Sequence, residues 1–241
     1  GTGSVVNLSG PVGNTFALST LDVTGDFIAL QAGTVNTSGN QTYAGAVSLG
    51  ANTTLTASNV TTTTGSTVAG ASNSLNVTGN ASLGGDVSDV SSIGVSGTTT
   101  LAGDVSATGN QTYTGAVTLA KNAVLQSTGA NATIAVANSI NSDSAANRTL
   151  NISASGTGGA VSLGGTVGAS NILAQVDVTA SAIALNGGSI RASGNETFTG
   201  AVTLGANTTL TAANVTTAAN STIAGVGKSL GITGNLSLGA A

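Results

Sequence analysis

The sequence predicts an all-β chain: a single-stranded right-handed parallel β-helix (β-solenoid) of about 11–12 coils, each of about 19–20 residues. Three observations predict it. The composition favours strands and turns, one long unit recurs three times, and apolar and polar side chains alternate within that unit.

Charged residues make up 5% of the 241, aromatics 2%, and there is one proline, Pro11. Hydrophobic residues reach 40%, almost all of them Ala, Val, Leu and Ile, and the remainder is mainly Gly, Thr, Ser and Asn. Disordered chains show the opposite balance, with low hydrophobicity and high charge. Strong helix formers are scarce, whereas Thr and Val favour strands and Gly and Asn favour turns.

The recurring unit reads SGNQTYAGAVSL from Ser38, TGNQTYTGAVTL from Thr108 and SGNETFTGAVTL from Ser193. The first and third copies stay alike through Leu83 and Leu238. A shorter period lies inside. Strand-like starts fall near Thr53, Ser74, Ser92, Thr108, Ala123, Arg148, Asn171, Ser193, Thr208 and Ser229. They divide the distance between the equivalent Thr53 and Thr208 into steps of about 19 residues, the scale of a solenoid coil.

Parity supports the strands. Tyr43, Gly45, Val47 and Leu49 share one phase, as do Leu55 and Ala57 between Thr54 and Thr56, and alternate residues of a strand face opposite sides. Gly-Ala-Asn at 50–52 and 205–207 reads as a turn tolerating positive φ. A coil of ~20 residues cannot bury its apolar face alone, but stacked coils hydrogen-bond at about 4.8 Å. Each buried Val or Leu then contributes roughly 1.5–3 kcal/mol. Parallel crossovers are normally right-handed, which sets the expected hand. Coil length varies, so a loop should bulge near Asn141 to Arg148. An antiparallel sandwich, the alternative, does not call for near-identical copies at long spacing and carries more core aromatics.

The unit, with its continuation L-x-x-N-T-T-L-T, resembles the repeats of large filamentous-haemagglutinin-like adhesins of Gram-negative bacteria. The likeness is close at 38–57, 108–127 and 193–212. It implies a long right-handed β-helix exported by two-partner secretion and located at the cell surface or outside the cell. It also implies a role as an adhesin, a biofilm-matrix fibre or a stalk. The implied partners are a host or neighbouring cell surface or a matrix polysaccharide.

Residue types narrow the chemistry. There is no histidine and no cysteine, which removes His-based triads, His general bases and thiolate metal sites. Lys121, Arg148, Arg191 and Lys228 are the only basic residues and are scattered, so no patch exists to hold nucleic-acid phosphates. No apolar run approaches the ~18 residues of a membrane span. The acids are Asp22, Asp26, Asp86, Asp89, Asp104, Asp143, Asp177 and Glu196. Glycosidases need two carboxyl groups at a defined separation, and no basic residue accompanies the main acidic group. A carbohydrate-active β-helix enzyme is therefore the third reading, behind two non-catalytic ones.

Asp86 and Asp104 occupy matching places in LGGDVS and LAGDVS. On adjacent coils they should stand roughly 5 Å apart, where two carboxylates repel by about 1 kcal/mol in water and more near a protein surface. A calcium ion would relieve this, with Asp89 as a third contributor. The competing reading is a pair of solvated turn positions. It gains from a third copy, LGGTV at 163–167, which carries Thr166. The calcium nonapeptide G-G-x-G-x-D is not present.

Tyr43, Tyr113 and Phe198 share one repeat position and the parity of the core. Core packing explains them better than sugar stacking, and Phe198 implies that the hydroxyl is dispensable. Asn40, Asn110 and Asn195, each after a glycine, read as a stacked Asn ladder or a turn. Asn-x-Ser/Thr triplets are many, as a chain this rich in Asn, Ser and Thr produces by chance. An ice-binding face would need a regular Thr-x-Thr array, and Thr54-Leu55-Thr56 followed by Ser74-Leu75-Asn76 breaks it.

Residues 1–241 therefore read as one continuous solenoid segment. The N-terminal Gly1-Thr2-Gly3-Ser4 is neither a start methionine nor a signal peptide, and the expectation is a window from a longer chain. The expected role is a structural or adhesive rod of a bacterial surface or biofilm-matrix filament, without catalysis. The runner-up is a self-assembling filament subunit, a homo-oligomer joined end to end through unpaired solenoid edges.

Overall fold

The computed structural model describes residues 3–144 and 146–239. These residues form 24 strands and no helix, all in one sheet whose ladders are parallel throughout. The all-β parallel solenoid is the fold predicted from the repeats.

Each coil contributes to three ladders. One runs Val6, Ile28, Val47, Val68, Val87, Val105, Leu125, Ile152, Val178, Phe198, Thr217 and Leu238. A second runs Val35, Leu55, Val77, Val95, Tyr113, Val136, Leu163, Leu185 and Leu204. The third includes Gln41, Val60, Ala81, Thr99, Val117 and Ile140. The side chains on these columns are nearly all buried. They form one contiguous core, because alternate strand residues turn inward at every level.

The first ladder makes about 11 coils of ~21 residues. At ~4.8 Å per level the rod is about 50 Å long. The period is longer than the 19–20 residues expected, and the cause is geometric. The sequence-level starts pass from one ladder to another. Thr53, Leu75, Ile93 and Gln111 do stack, but the partner after Gln111 is Ile134, not Ala123, which lies on a different ladder and pairs with Leu150. A change of ladder counted as a full turn shortens the apparent coil.

The three copies of the long unit sit on three different ladders. Tyr43 pairs with Val23 and Thr62, Tyr113 with Val95 and Val136, and Phe198 with Val178 and Thr217. Successive copies are thus offset by a fractional number of turns and do not stack on one another.

Coil length ranges from 17 residues (Val90 to Ala107, across a bulge) to 27 (Ala123 to Leu150). The longest coils carry the loop expected near Asn141 to Arg148. There Arg148 grips Asp143 through Nε and Nη2, at 3.1 and 2.8 Å. Ala145, inside this loop, lies outside the described residues.

Where two ladders meet within one long strand pair, the register shifts, and four shifts share a design. Two residues on one coil face a single glycine on the next: Gly25-Asp26 against Gly45, Ala57-Ser58 against Gly79, Ala180-Ser181 against Gly200, and Ala212-Ala213 against Gly234. All four glycines have φ between +125 and +147°. A Cβ on any of them would overlap the carbonyl oxygen of Gly25, Ala57, Ala180 or Ala212, so the corner admits only glycine. At three of the four corners a serine of the following coil accepts from the glycine N–H. Gly45 donates to Ser66 Oγ at 3.0 Å, Gly79 to Ser96 Oγ at 2.9 Å and Gly200 to Ser221 Oγ at 2.9 Å.

The expected turn at Gly50-Ala51-Asn52 and Gly205-Ala206-Asn207 is present, but none of the six residues has positive φ. Glycine there leaves room for a side chain of the preceding coil. A Cβ at Gly50 would overlap Gln31, and one at Gly205 would overlap Asn186.

Candidate functional site

The outer surface uses its polar side chains first to complete the backbone. Along the solenoid an Asn or Asp oxygen repeatedly accepts the N–H of a residue one coil away. Asn52 Oδ1 accepts from Ser74, Asn207 Oδ1 from Ser229, Asn122 Oδ1 from Thr149 and Asn110 Oδ1 from Thr133, at 2.9–3.1 Å. Elsewhere the amides stack on each other. Asn59 donates to Asn40 and Asn80 to Asn59, at 2.9 and 3.1 Å; Asn214 donates to Asn195 and Asn235 to Asn214, at 2.8 and 3.2 Å. Of the three asparagines singled out in the repeat, Asn40 and Asn195 begin ladders, while Asn110 accepts a backbone N–H.

Asp86 and Asp104 belong to the same series. The structure brings them to adjacent coils, as expected: Asp86 Oδ1 accepts from the N–H of Asp104 at 2.9 Å, and Asp104 Oδ1 accepts from Val124 N–H at 2.8 Å. Each does with one oxygen what Asn52 and Asn207 do with theirs. Asp26 plays the part toward the preceding coil, accepting from Ser4 and Gly3. Those backbone donors hold its carboxyl below the ordinary carboxylate range.

Asp89 does not complete a three-carboxylate group with this pair. Among the described residues no three metal-ligating side chains gather where they would hold an ion. Asp89 sits at a bulge between Val87–Val90 and Val105–Ala107, in a left-handed conformation (φ 56°). It lines a shallow surface concavity of about 320 Å³ with Ser88, Ser106, Thr108, Gln126 and Thr128.

Outward-facing hydroxyls form columns. One runs Asp22, Thr42, Thr61, Ser82, Thr100, Thr118, Asn141 over seven consecutive coils. The row after Thr54-Leu55-Thr56 is Asn76-Val77-Thr78, not Ser74-Leu75-Asn76, so one of the two threonine columns continues, from Thr56 to Thr78, while the Thr-x-Thr array itself does not. The interruptions are at Asn76 and at Gly94.

Tyr43, Tyr113 and Phe198 are inside, at 0–1% exposure, as their parity indicates. The tyrosine hydroxyls have partners there. Tyr43 donates to Gln41 Oε1 and Tyr113 to Gln111 Oε1, both at 3.0 Å. Each glutamine amide in turn donates to two backbone carbonyls, those of Val35 and Thr56 for Gln41 and of Val105 and Gln126 for Gln111. Burial pushes both phenols well above their ordinary range. Where the hydroxyl is present it is bonded to the glutamine, and where it is absent that glutamine is absent too. In the third copy Glu196 replaces the glutamine and Phe198 the tyrosine.

Glu196 is fully buried, and neither carboxyl oxygen has a hydrogen-bond partner. The N–H groups of Thr211 and Ala192 lie near enough to pull its pKa down slightly, but Ala192 N–H is committed to the carbonyl of Thr211. Burial dominates and raises the carboxyl to about 8. The sequence signal was available: position 196 shares the parity of 198, and both replacements occur in one copy.

No family model, curated protein or solved structure matches the chain. The resemblance to filamentous-haemagglutinin-like repeats therefore rests on the repeat residues alone.

Proposed function

We propose that this chain is a non-catalytic structural and adhesive rod, a segment of an extracellular bacterial surface or matrix filament. The observation that carries the reading is the contrast between its two parities. Inside, aliphatic ladders run the length of the rod. Outside, rows of Thr, Ser and Asn repeat at the spacing of the coils, and the stacked carboxylates Asp86 and Asp104 accept backbone N–H groups. A column such as Thr42, Thr61, Ser82, Thr100 and Thr118 offers the same shallow hydroxyl contact again and again. Repeated weak contacts of this kind suit a polyhydroxylated, repetitive partner such as a matrix polysaccharide, because linked sites gain avidity without any strong individual site.

The test immobilises the 241-residue chain on beads and measures retention on bacterial matrix polysaccharide. A variant with Thr42, Thr61, Thr100 and Thr118 changed to valine keeps strand propensity and shape but loses the hydroxyls. The reading expects retention by the wild type and at least a tenfold loss in the variant. Equal retention of both, or none by either, counts against it.

A second reading is end-to-end association of copies of this chain through unpaired solenoid edges. In the last described coil Leu236 and Leu238, which stack on the buried Val215 and Thr217, are 49% and 61% exposed. Leu204, Ile223, Leu230 and Ile232 line an open apolar recess beside Leu236 and Leu238. Fibres that lengthen with concentration under the electron microscope support this reading, and uniform short rods oppose it.

A further inference from the structure

We propose that Glu196 is a neutral carboxylic acid inside the folded rod, and that it makes the coils around it an alkali-sensitive joint: they stack firmly while the acid keeps its proton and loosen when it ionises.

The repeat supplies the geometric argument. At the two equivalent positions a glutamine amide donates to the carbonyls six residues before and fifteen residues after it: Val35 and Thr56 for Gln41, at 3.1 and 2.9 Å, and Val105 and Gln126 for Gln111, at 3.2 and 2.6 Å. The corresponding carbonyls around Glu196 belong to Ile190 and Thr211. The parallel extends to the backbone, since Thr56 accepts from Thr37 N–H as Thr211 accepts from Ala192 N–H. The socket is therefore built to receive a donor. A protonated carboxyl retains one O–H to give, whereas a carboxylate only accepts. The tyrosine hydroxyl that serves Gln41 and Gln111 is also missing, because Phe198 takes its place.

No countercharge compensates. Glu196 is stacked between Val176 and Val215. The neighbouring strands Gln175–Leu185 and Thr208–Thr217 carry one charged residue between them, Asp177. Asp177 lies on the outward parity and accepts from Gln175 Nε2. Strand Ser189–Arg191 carries Arg191, which is exposed and donates to the carbonyl of Ala169. An ionised Glu196 would be a buried charge with no cation beside it and only the backbone N–H groups of Thr211 and Ala192 nearby, the latter already committed to a carbonyl, a state the surrounding structure relieves by opening to water.

The direction of the pH dependence follows. The folded chain holds a proton that the opened chain releases at about 4.5, and holds it up to about 8. The stacking contribution is complete below the lower value and falls across the interval, tenfold in the closed-to-open ratio for each pH unit. It is fully lost above the upper value. Because a solenoid opens locally, the loss concentrates in the coils around residues 192–217.

Glu196 is the only glutamate in the chain, which permits a direct test. The full chain labelled with ¹³C-glutamate has one carboxyl resonance, and its titration is followed in the folded protein. The proposal expects a midpoint at least two units above that of a free glutamate, accompanied by loss of amide protection over 192–217 as the pH rises from 5 to 9. In Glu196→Gln that loss should disappear, and in the double variant Gln41→Glu, Tyr43→Phe, which removes the hydroxyl donor as Phe198 does, a matching loss should appear around residues 35–62. A carboxyl titrating in the ordinary range overturns the proposal, and so does protection over 192–217 that depends on pH equally in wild type and Glu196→Gln.

Discussion

Carboxylates and amides on this rod are placed by the backbone N–H they can reach on a neighbouring coil. Asp86 and Asp104 looked in sequence like a calcium pair because their spacing of one coil was legible, and that stacking is present. What the spacing did not reveal is that one oxygen of each accepts a ladder N–H. Asparagine does the same work at positions 52, 110, 122 and 207. Asp104→Asn should therefore leave stability within about 0.5 kcal/mol, by keeping the acceptor and removing a like charge. Asp104→Ala should cost about 1 kcal/mol, as loss of a side chain-to-backbone bond does. Urea denaturation of the three proteins measures both, and millimolar calcium should leave all three midpoints unchanged. The aromatic positions teach the complementary lesson. Parity alone placed Tyr43, Tyr113 and Phe198 in the core, but a partner two residues away in the same strand was needed to explain the hydroxyl.

At the scale of the element, strands were legible and corners were not. The alternation around Tyr43, Val47 and Leu49 identifies a strand directly, because inward residues are apolar and outward ones polar. Where one long strand passes from one ladder to the next, two residues face one glycine and the alternation slips. That slip, together with coils of 17 to 27 residues, led the sequence spacing to a period nearer 19 than 21. The corner glycines make a sharp prediction. At Gly79 a Cβ would overlap the backbone carbonyl of Ala57, and φ is +125°; at Gly65 φ is +83° but the space around the Cβ is open. Gly65→Ala should cost about 1–2 kcal/mol, the penalty of a left-handed alanine. Gly79→Ala should cost about 3 kcal/mol or more, because backbone on an adjacent coil must move. Equal losses in thermal or urea unfolding would show that φ alone, and not the close approach of two coils, selects glycine at the corner.

At the scale of the whole molecule, the rod follows from stacking. Each coil buries its apolar columns only against the coils above and below, so the core is continuous although no coil is stable alone. The solenoid was legible because the three copies of the long unit and their parity survive in sequence. Their placement on three different ladders was not, since it depends on the accumulated lengths of the intervening coils. The proposed rod function inherits this architecture, with weak contacts repeated along an axis and one buried acid where the stacking responds to pH. The central claim is the stacking itself, and the absence of cysteine makes it directly measurable. Spin labels on cysteines introduced at Thr42 and Thr118 mark positions four coils apart on one outward column, and labels at Asp22 and Asn141 mark positions six coils apart. Double electron–electron resonance should give distances centred near ~19 Å and ~29 Å, growing by ~4.8 Å per coil. Distances that do not scale with the number of coils, or a broad distribution beyond ~40 Å for either pair, would contradict the stacked solenoid.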